Sequence, residues 1–462
     1  MKKVLIFLTI LILIISTASP AVFAQDYKSN IKLNCDIDYM ISLDDGTTVV
    51  AKNAQKKAAP ASITKITTAL VVFQNCEDLS KTVTVSQSAI DSLKNTGSSL
   101  SGLKVGEEIS VLDMLHCLLI PSGNDAAAVL AEFIGGTQEK FVEMMNECVN
   151  ALGCKNTHYD NPHGLDSQTH YTTAEDIAII AKEALKYNEF KKIVCIPKYT
   201  LPATNKNKER ILTNTNSTIN KSFLTYYRDY MKGIKTGHTD KAGYCVVTYA
   251  SKNGYNYLAV AMGGDYRDSD NDKIEENQAF MDSIRMYEWA FANLSYELIA
   301  SKNLMVSEVK VNYSWKIDHM RLVPEKDTRA LVPTGTNEGS VLIVPQDKPE
   351  EVDAPIKAGD FACKAKILYA DSEIAEINLV YAESVSKNYL VYAYSLVKRL
   401  FHNTLFRIVL ILVIIVLIAY IYLVFKSNKN KRRGKKQQLK IVKINDSGKS
   451  AGKKSGRYKP KH

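Results

Sequence analysis

From Ile408 to Phe425 eighteen consecutive residues carry no charge and are almost all apolar. As a helix rising 1.5 Å per residue, such a run reaches about 27 Å, enough to cross the hydrocarbon core of a bilayer. We read residues 405–425 as a transmembrane helix. The remainder of the chain is strongly basic: from Lys426 to His462 twelve lysines and three arginines face one acid, Asp446, a balance of +14. The positive-inside rule keeps such a tail in the cytoplasm. At the other end, residues 1–24 have the form of a secretory signal. Lys2 and Lys3 precede the apolar run Val4 to Ile15, and small residues lead to a cleavage site after Ala24. Everything between signal and span is therefore expected outside the membrane, on a single-pass protein.

Topology changes the meaning of the charge. Removing the tail's +14 and the +2 of Lys2 and Lys3 from the chain's +10 leaves −6 for the exported part. The basic tail thus fixes topology and suits anionic lipid, and nucleic acid is excluded as a partner. The eight cysteines are scattered without a Cys-x-x-Cys pair, and no His-Glu-x-x-His occurs. No metal or other cofactor is expected; most thiols are read as buried, with room for one or two disulfides in an exported protein.

The exported part is too long for one ordinary core and changes texture along its length. Tyr39 to Lys52 reads as a hairpin turning at Asp45-Gly46. Helical patterns come next at Ile63–Gln74, Val111–His116, Asn124–Phe133, Glu139–Leu152 and Thr173–Tyr187, the last capped by Thr172 or Thr173. Asn161 to Asp166 is a loop by composition. Gly243–Ala250 and Tyr255–Met262 read as antiparallel strands, and a helix from Glu275 to Asn293 closes the first domain. Strands, helices, then strands again imply an α/β sandwich of antiparallel sheet and helices with an inserted helical subdomain. From Leu304 short strand-like runs at Val309–Tyr313, Ser340–Val344, Ala365–Ala370 and Ala375–Tyr381 form a small all-β domain, read as a stalk or contact surface. The aromatic and basic segment holding Tyr389, Tyr392, Tyr394, Lys398, Arg399 and Phe401 is expected as a helix at the outer membrane interface.

Chemistry enters with Pro60-Ala61-Ser62-Ile63-Thr64-Lys65. If Pro60 and Ala61 open a helix, Ser62 lies in its first turn and Lys65 one turn on, on the same face. A serine hydroxyl needs a base, and a desolvated lysine can act as one. The Ser-x-x-Lys pattern alone is weak, since it recurs at Ser29, Ser101, Ser307, Ser384, Ser395 and Ser450. Two further segments single out Ser62. Ser122-Gly123-Asn124 lies between two helices, where Gly123 is expected to supply the backbone freedom for a sharp turn. Lys235-Thr236-Gly237 occurs once, beside His238, on a segment read as an edge strand.

In this order and context the chain resembles the penicillin-binding proteins, specifically the low-molecular-mass D-alanyl-D-alanine carboxypeptidases. The resemblance extends through Ile120-Pro121-Ser122-Gly123-Asn124-Asp125-Ala126, Asn161-Pro162-His163-Gly164-Leu165 and Lys235-Thr236-Gly237-His238-Thr239 to Ala242-Gly243-Tyr244. It is looser in Ala354-Pro355-Ile356-Lys357-Ala358-Gly359, similar to the β-rich domain that often follows the catalytic one. It implies the β-lactamase/DD-peptidase-like fold and a serine DD-carboxypeptidase domain over 25–298. After that come a β-rich domain over 304–385, a juxtamembrane segment over 386–404, the span, and the tail 426–462. It also implies roles. Ser62 attacks the bond between two terminal D-alanines of a peptidoglycan stem peptide, Lys65 takes its proton, and Ser122 relays a proton to the departing amine. Asn124 holds substrate and lysine, Lys235 and Thr236 take the terminal carboxylate, and Gly237 admits the substrate backbone. The N–H groups of Ser62 and His238 form the oxyanion hole, and β-lactams acylate Ser62 as inhibitors. His163 and Asp176 are read as supports, and Arg267 as a solvated loop residue. The full span and basic tail depart from relatives that hold to the membrane by a short amphipathic helix. Three alternatives stand beside this reading. One is a class A-like β-lactamase, disfavoured by Gly123 where such enzymes carry aspartate. The second is endopeptidase or transpeptidase chemistry on the same fold; the third is a non-catalytic peptidoglycan-binding membrane protein.

Overall fold

The computed structural model describes residues 31–268 and 275–446. The expected signal over 1–24, the Ser269-Asp270-Asn271 triplet that comes after the lysine motif, and the last part of the basic tail lie outside the described residues. The chain forms two compact units. One comprises the described residues up to 304 together with 324–346 and 364–378. The other comprises 305–323, 347–363 and the described residues from 379.

The first unit is built on a five-stranded sheet. Its strands lie in the order Thr48–Lys52, Ile37–Ser42, Tyr255–Gly264, Gly243–Lys252, Met231–Thr239, each antiparallel to its neighbour. The central strands read as near-continuous apolar runs because both faces are covered. Ile37, Tyr39, Ile41, Val247, Leu258 and Val260 point into one core with the helical region. Met40, Ala250, Tyr257 and Ala259 point the other way, onto Met286, Tyr287 and Ala290 of the helix Gln278–Asn293. A one-residue slip in register would exchange the two faces, so this alternation fixes the pairing.

The helix Lys65–Asn75 is the spine of the first core, with every residue from Lys65 to Val72 buried. A helix apolar on nearly all sides belongs at the centre of a helical layer. Val111–Leu119, Asn124–Gly135, Gln138–Ala151 and Ala174–Ala184 surround it. Its two buried threonines are satisfied, Thr67 by the Tyr159 hydroxyl at 2.8 Å and Thr68 by the Pro162 carbonyl at 2.5 Å. Of the two threonines weighed as cap for Ala174–Ala184, Thr173 accepts from Asp176 N at 3.1 Å.

The expected boundary near residues 298–304 is less simple than a cut in sequence. After Asn293 the chain passes directly into a strand, Leu294–Ala300, which pairs antiparallel with Thr328–Pro333 in the same unit. Neither strand was among the runs expected from sequence; each is defined by its pairing with the other. In the second unit Ser307–Asn312 pairs antiparallel with His319–Pro324 and parallel with Glu351–Asp353. Tyr389–His402 is helical, as expected, with no buried residue. The apolar helix begins at Thr404 and continues to Asp446; Thr404–Arg432 is long and apolar enough to cross a membrane. All eight cysteines are free thiols.

Candidate active site

The segment Ala61–Thr64 is a 3-10 turn leading into the helix that starts at Lys65, rather than the first turn of an α-helix. In a 3-10 turn residues three apart eclipse one another, which stacks Lys65 directly over Ser62. Ala61 adopts φ +48°, a left-handed conformation that L-residues avoid. Two glycines on either side hold it there. A Cβ on Gly164 would lie 1.9 Å from the Ala61 carbonyl oxygen, and one on Gly237 would lie 2.9 Å from Ser62 N. The turn is therefore wedged between the loop Asn161–Leu165 and the edge strand.

Lys65 is fully buried. Its Nζ lies 2.9 Å from Ser62 Oγ, 2.6 Å from Asn124 Oδ1 and 2.8 Å from the His163 carbonyl oxygen. The last two partners can only accept. A neutral amine has two hydrogens and one lone pair, so donation to Asn124 and His163 leaves the lone pair facing the Ser62 hydroxyl. Burial, and then the nearby charge of Lys235, hold the Lys65 ammonium well below the usual lysine range, against the opposing pull of Asp125. Geometry and electrostatics thus favour the form that can take a proton. His163 supports the site through its backbone, and burial followed by the Lys65 charge pushes its imidazole down to about 3.

Between Val111–Leu119 and Asn124–Gly135 the residue in the left-handed region is Ser122, with φ +66°, whereas Gly123 has φ −62°. The expectation that Gly123 supplies turn freedom is therefore wrong in its reason. Glycine is required because a Cβ would meet Asp125 Oδ1 at 2.6 Å, and the Cys117 carbonyl and Ser101 Oγ each at 2.9 Å. Asp125 is buried and accepts from Ser101 N and Oγ and from Leu103 N, at 2.8–3.1 Å. This carboxylate ties the 99–103 segment to the turn that presents Ser122 and Asn124, which are themselves 5% and 3% exposed.

Lys235, Thr236, Gly237 and His238 lie on Met231–Thr239, which is an edge strand. The Lys235 ammonium is buried, donates to the Thr236 carbonyl at 2.8 Å, and is pushed down to about 7 by burial. Gly237 faces the Ser62 turn, with positions for a Cβ at 3.1 Å from both Ala61 Cβ and Ile63 N. Close approach by the protein's own backbone explains this glycine. His238 is exposed and stacks on Tyr244 with centroids 4.1 Å apart. Arg267 is exposed and gives its guanidinium to Asp265 at 2.6 and 2.7 Å. Asp176 lies in the first turn of its helix, and its carboxylate accepts from Asn156 N and Thr157 Oγ1, a structural part.

Ser62, Lys65 and Asn124 are thus joined directly, Ser122 shares the turn of Asn124, and the Lys235 strand packs on the Ser62 turn. Sequence reasoning assigned nothing to Asp125 or to Thr215, whose Oγ1 lies 2.5 Å from Thr236 Oγ1. An aspartate directly after Ser-Gly-Asn, at a helix start, was a readable signal for the first; Thr215 stands in no motif.

Residues 26–266 match the family described as D-alanyl-D-alanine carboxypeptidase, and residues 295–387 match the penicillin-binding protein 5 C-terminal domain. The D-alanyl-D-alanine carboxypeptidase DacF of Bacillus subtilis is 32% identical over 394 residues, covering 84% of this chain and 95% of that protein. Penicillin-binding protein 5 of Haemophilus influenzae superposes with a TM-score of 0.58 at 27% identity, covering 78% of this chain and 99% of that one. The Streptomyces K15 DD-transpeptidase superposes with a TM-score of 0.51 at 26% identity, over 57% of this chain and 99% of that one.

Proposed function

The chain belongs to the D-alanyl-D-alanine carboxypeptidase family, and from that premise we propose that it trims peptidoglycan stem pentapeptides through an acyl-enzyme on Ser62. Ser62 Oγ attacks the carbonyl carbon between the two terminal D-alanines while its proton passes to Lys65 Nζ. The N–H groups of Ser62 and His238 stabilise the oxyanion. Collapse of the tetrahedral intermediate breaks the C–N bond, and Ser122 delivers a proton to the departing D-alanine amine. Asn124 aligns the peptide backbone, and Lys235 with Thr236 binds the terminal carboxylate. Water then releases the shortened peptide. Penicillin forms the same ester with Ser62 and stays bound.

The observation that carries this reading is the set of three partners around Lys65 Nζ, two of which can only accept, so that the remaining site meets the nucleophile. We read the chain as a signal over 1–24, the catalytic domain over 25–298, a β domain over 304–385, a juxtamembrane segment over 386–404, a span over 405–425 and a cytoplasmic tail over 426–462. The catalytic domain then faces the wall. The test is to incubate detergent-solubilised full-length protein with a pentapeptide ending in D-Ala-D-Ala and to follow free D-alanine. Wild type should release it and Ser62→Ala should not; equal release by both would overturn the assignment. Rapid penicillin turnover without D-alanine release would favour a β-lactamase instead. Likeness to the Streptomyces K15 DD-transpeptidase supports adding an amine acceptor to the same assay, since a dimeric peptide product would reveal transfer.

A further inference from the structure

Resting on the reading that Lys235 and Thr236 bind the terminal carboxylate, we propose that Thr215 is a positioning residue that aims the Thr236 hydroxyl at that carboxylate. Three observations carry it. The two hydroxyl oxygens are 2.5 Å apart, a short hydrogen bond between side chains 21 positions apart. Thr215 is exposed while its neighbours Asn214 and Asn216 are buried, so its side chain projects away from the core and toward the edge strand. Its backbone is fixed by a dense local scaffold. Thr215 N donates to the Ile120 carbonyl at 3.2 Å and Asn214 N to the Pro197 carbonyl at 2.9 Å. Asn214 Nδ2 donates to the Ile196 carbonyl, and Asn214 Oδ1 accepts from Asn216 N, each at 2.9 Å. Thr215 thereby bridges the residue two places before Ser122 and the residue directly after Lys235.

The proton inventory gives the pair a direction. Each threonine hydroxyl has one hydrogen. If Thr236 donated to Thr215, it would turn only lone pairs toward a carboxylate and repel it. If Thr215 donates to Thr236, the hydrogen of Thr236 is free for the carboxylate oxygen, and the first hydrogen bond polarises the second. Substrate binding therefore selects the chain Thr215 O–H to Thr236 O–H to carboxylate. Thr215 need not touch the substrate.

The test is a double-mutant cycle on full-length protein in detergent, measuring D-alanine release from the D-Ala-D-Ala pentapeptide. Thr215→Val should raise KM about 5- to 10-fold with kcat within about 2-fold, a ground-state binding loss. Thr215→Ser, which keeps the hydroxyl, should stay within about 2-fold of wild type. In a Thr236→Val background, Thr215→Val should cost nothing further. The inference is overturned if Thr215→Val behaves as wild type, if Thr215→Ser is as impaired as Thr215→Val, or if the loss persists undiminished in the Thr236→Val background. Failure of the parent reading is separately visible, because Thr236→Val alone would then leave KM at the wild-type value.

Discussion

Adding one carbon at Gly237 tests how the nucleophile is held. A Cβ there would sit 2.9 Å from Ser62 N and 3.1 Å from Ala61 Cβ and Ile63 N. Ordinary contacts begin near about 3.5 Å, so the turn or the strand must yield by roughly half an ångström. The turn has nowhere to go: on its far side Gly164 already approaches so closely that a Cβ would fall 1.9 Å from the Ala61 carbonyl oxygen. Displacement by about 1 Å can cost ~10²-fold in rate, so Gly237→Ala should slow acylation by roughly 10- to 100-fold. Overpacking of this kind costs about 1–3 kcal/mol, which in a domain of this size lowers Tm by roughly 2–10 °C. The assay is the rate of labelling by a fluorescent penicillin at saturating concentration, with a thermal melt alongside. A Gly237→Ala protein that labels within about 2-fold of the wild-type rate and melts at the same temperature would refute the wedge.

Lys65→Met keeps the length of the side chain and removes the base, leaving Asn124 Oδ1 and the His163 carbonyl without their shared donor; penicillin labelling should fall by about 10³-fold or more. The pH profile of kcat/KM should have two limbs. It rises as Lys65, held well below the usual lysine range, loses its proton, and it falls as Lys235, pushed down to about 7, loses the charge proposed to bind carboxylate. Lys235→Arg cannot deprotonate in this range and should carry the falling limb to higher pH, and an unmoved limb would exclude Lys235 as its source. Asp125→Ala leaves the Ser101 and Leu103 donors unpaired; about 2–4 kcal/mol of stability should be lost and acylation slowed, read by chemical denaturation and penicillin labelling.

The ordered motifs made the outline of the site legible in the sequence, because each depends on local chain geometry: a turn entering a buried helix, a connection between two helices, and an edge strand. The reasons behind individual residues were less legible. Gly123 and Gly237 looked like flexible or substrate-facing glycines, but both exist because another part of the fold approaches within contact distance. Such contacts join residues far apart in the chain and leave no periodic trace. The left-handed φ of Ser122 and Ala61 was equally hidden, since only tertiary packing enforces it on residues with a Cβ. In the fold, the long apolar runs of the central strands were readable. Leu294–Ala300 and Thr328–Pro333 were not, because they are defined by pairing with one another.

Every step of the proposed chemistry passes through Ser62 as the acylated residue. It is tested by peptide mass mapping of the full-length protein after brief exposure to penicillin. Trypsin releases residues 58–65 as one peptide, Ala-Ala-Pro-Ala-Ser-Ile-Thr-Lys, in which Ser62 is the only serine. The penicilloyl mass is expected on that peptide, localised to Ser62 by fragmentation, and absent from Ser62→Ala. A stable adduct on any other peptide, or an adduct that survives Ser62→Ala, would rule Ser62 out as the nucleophile.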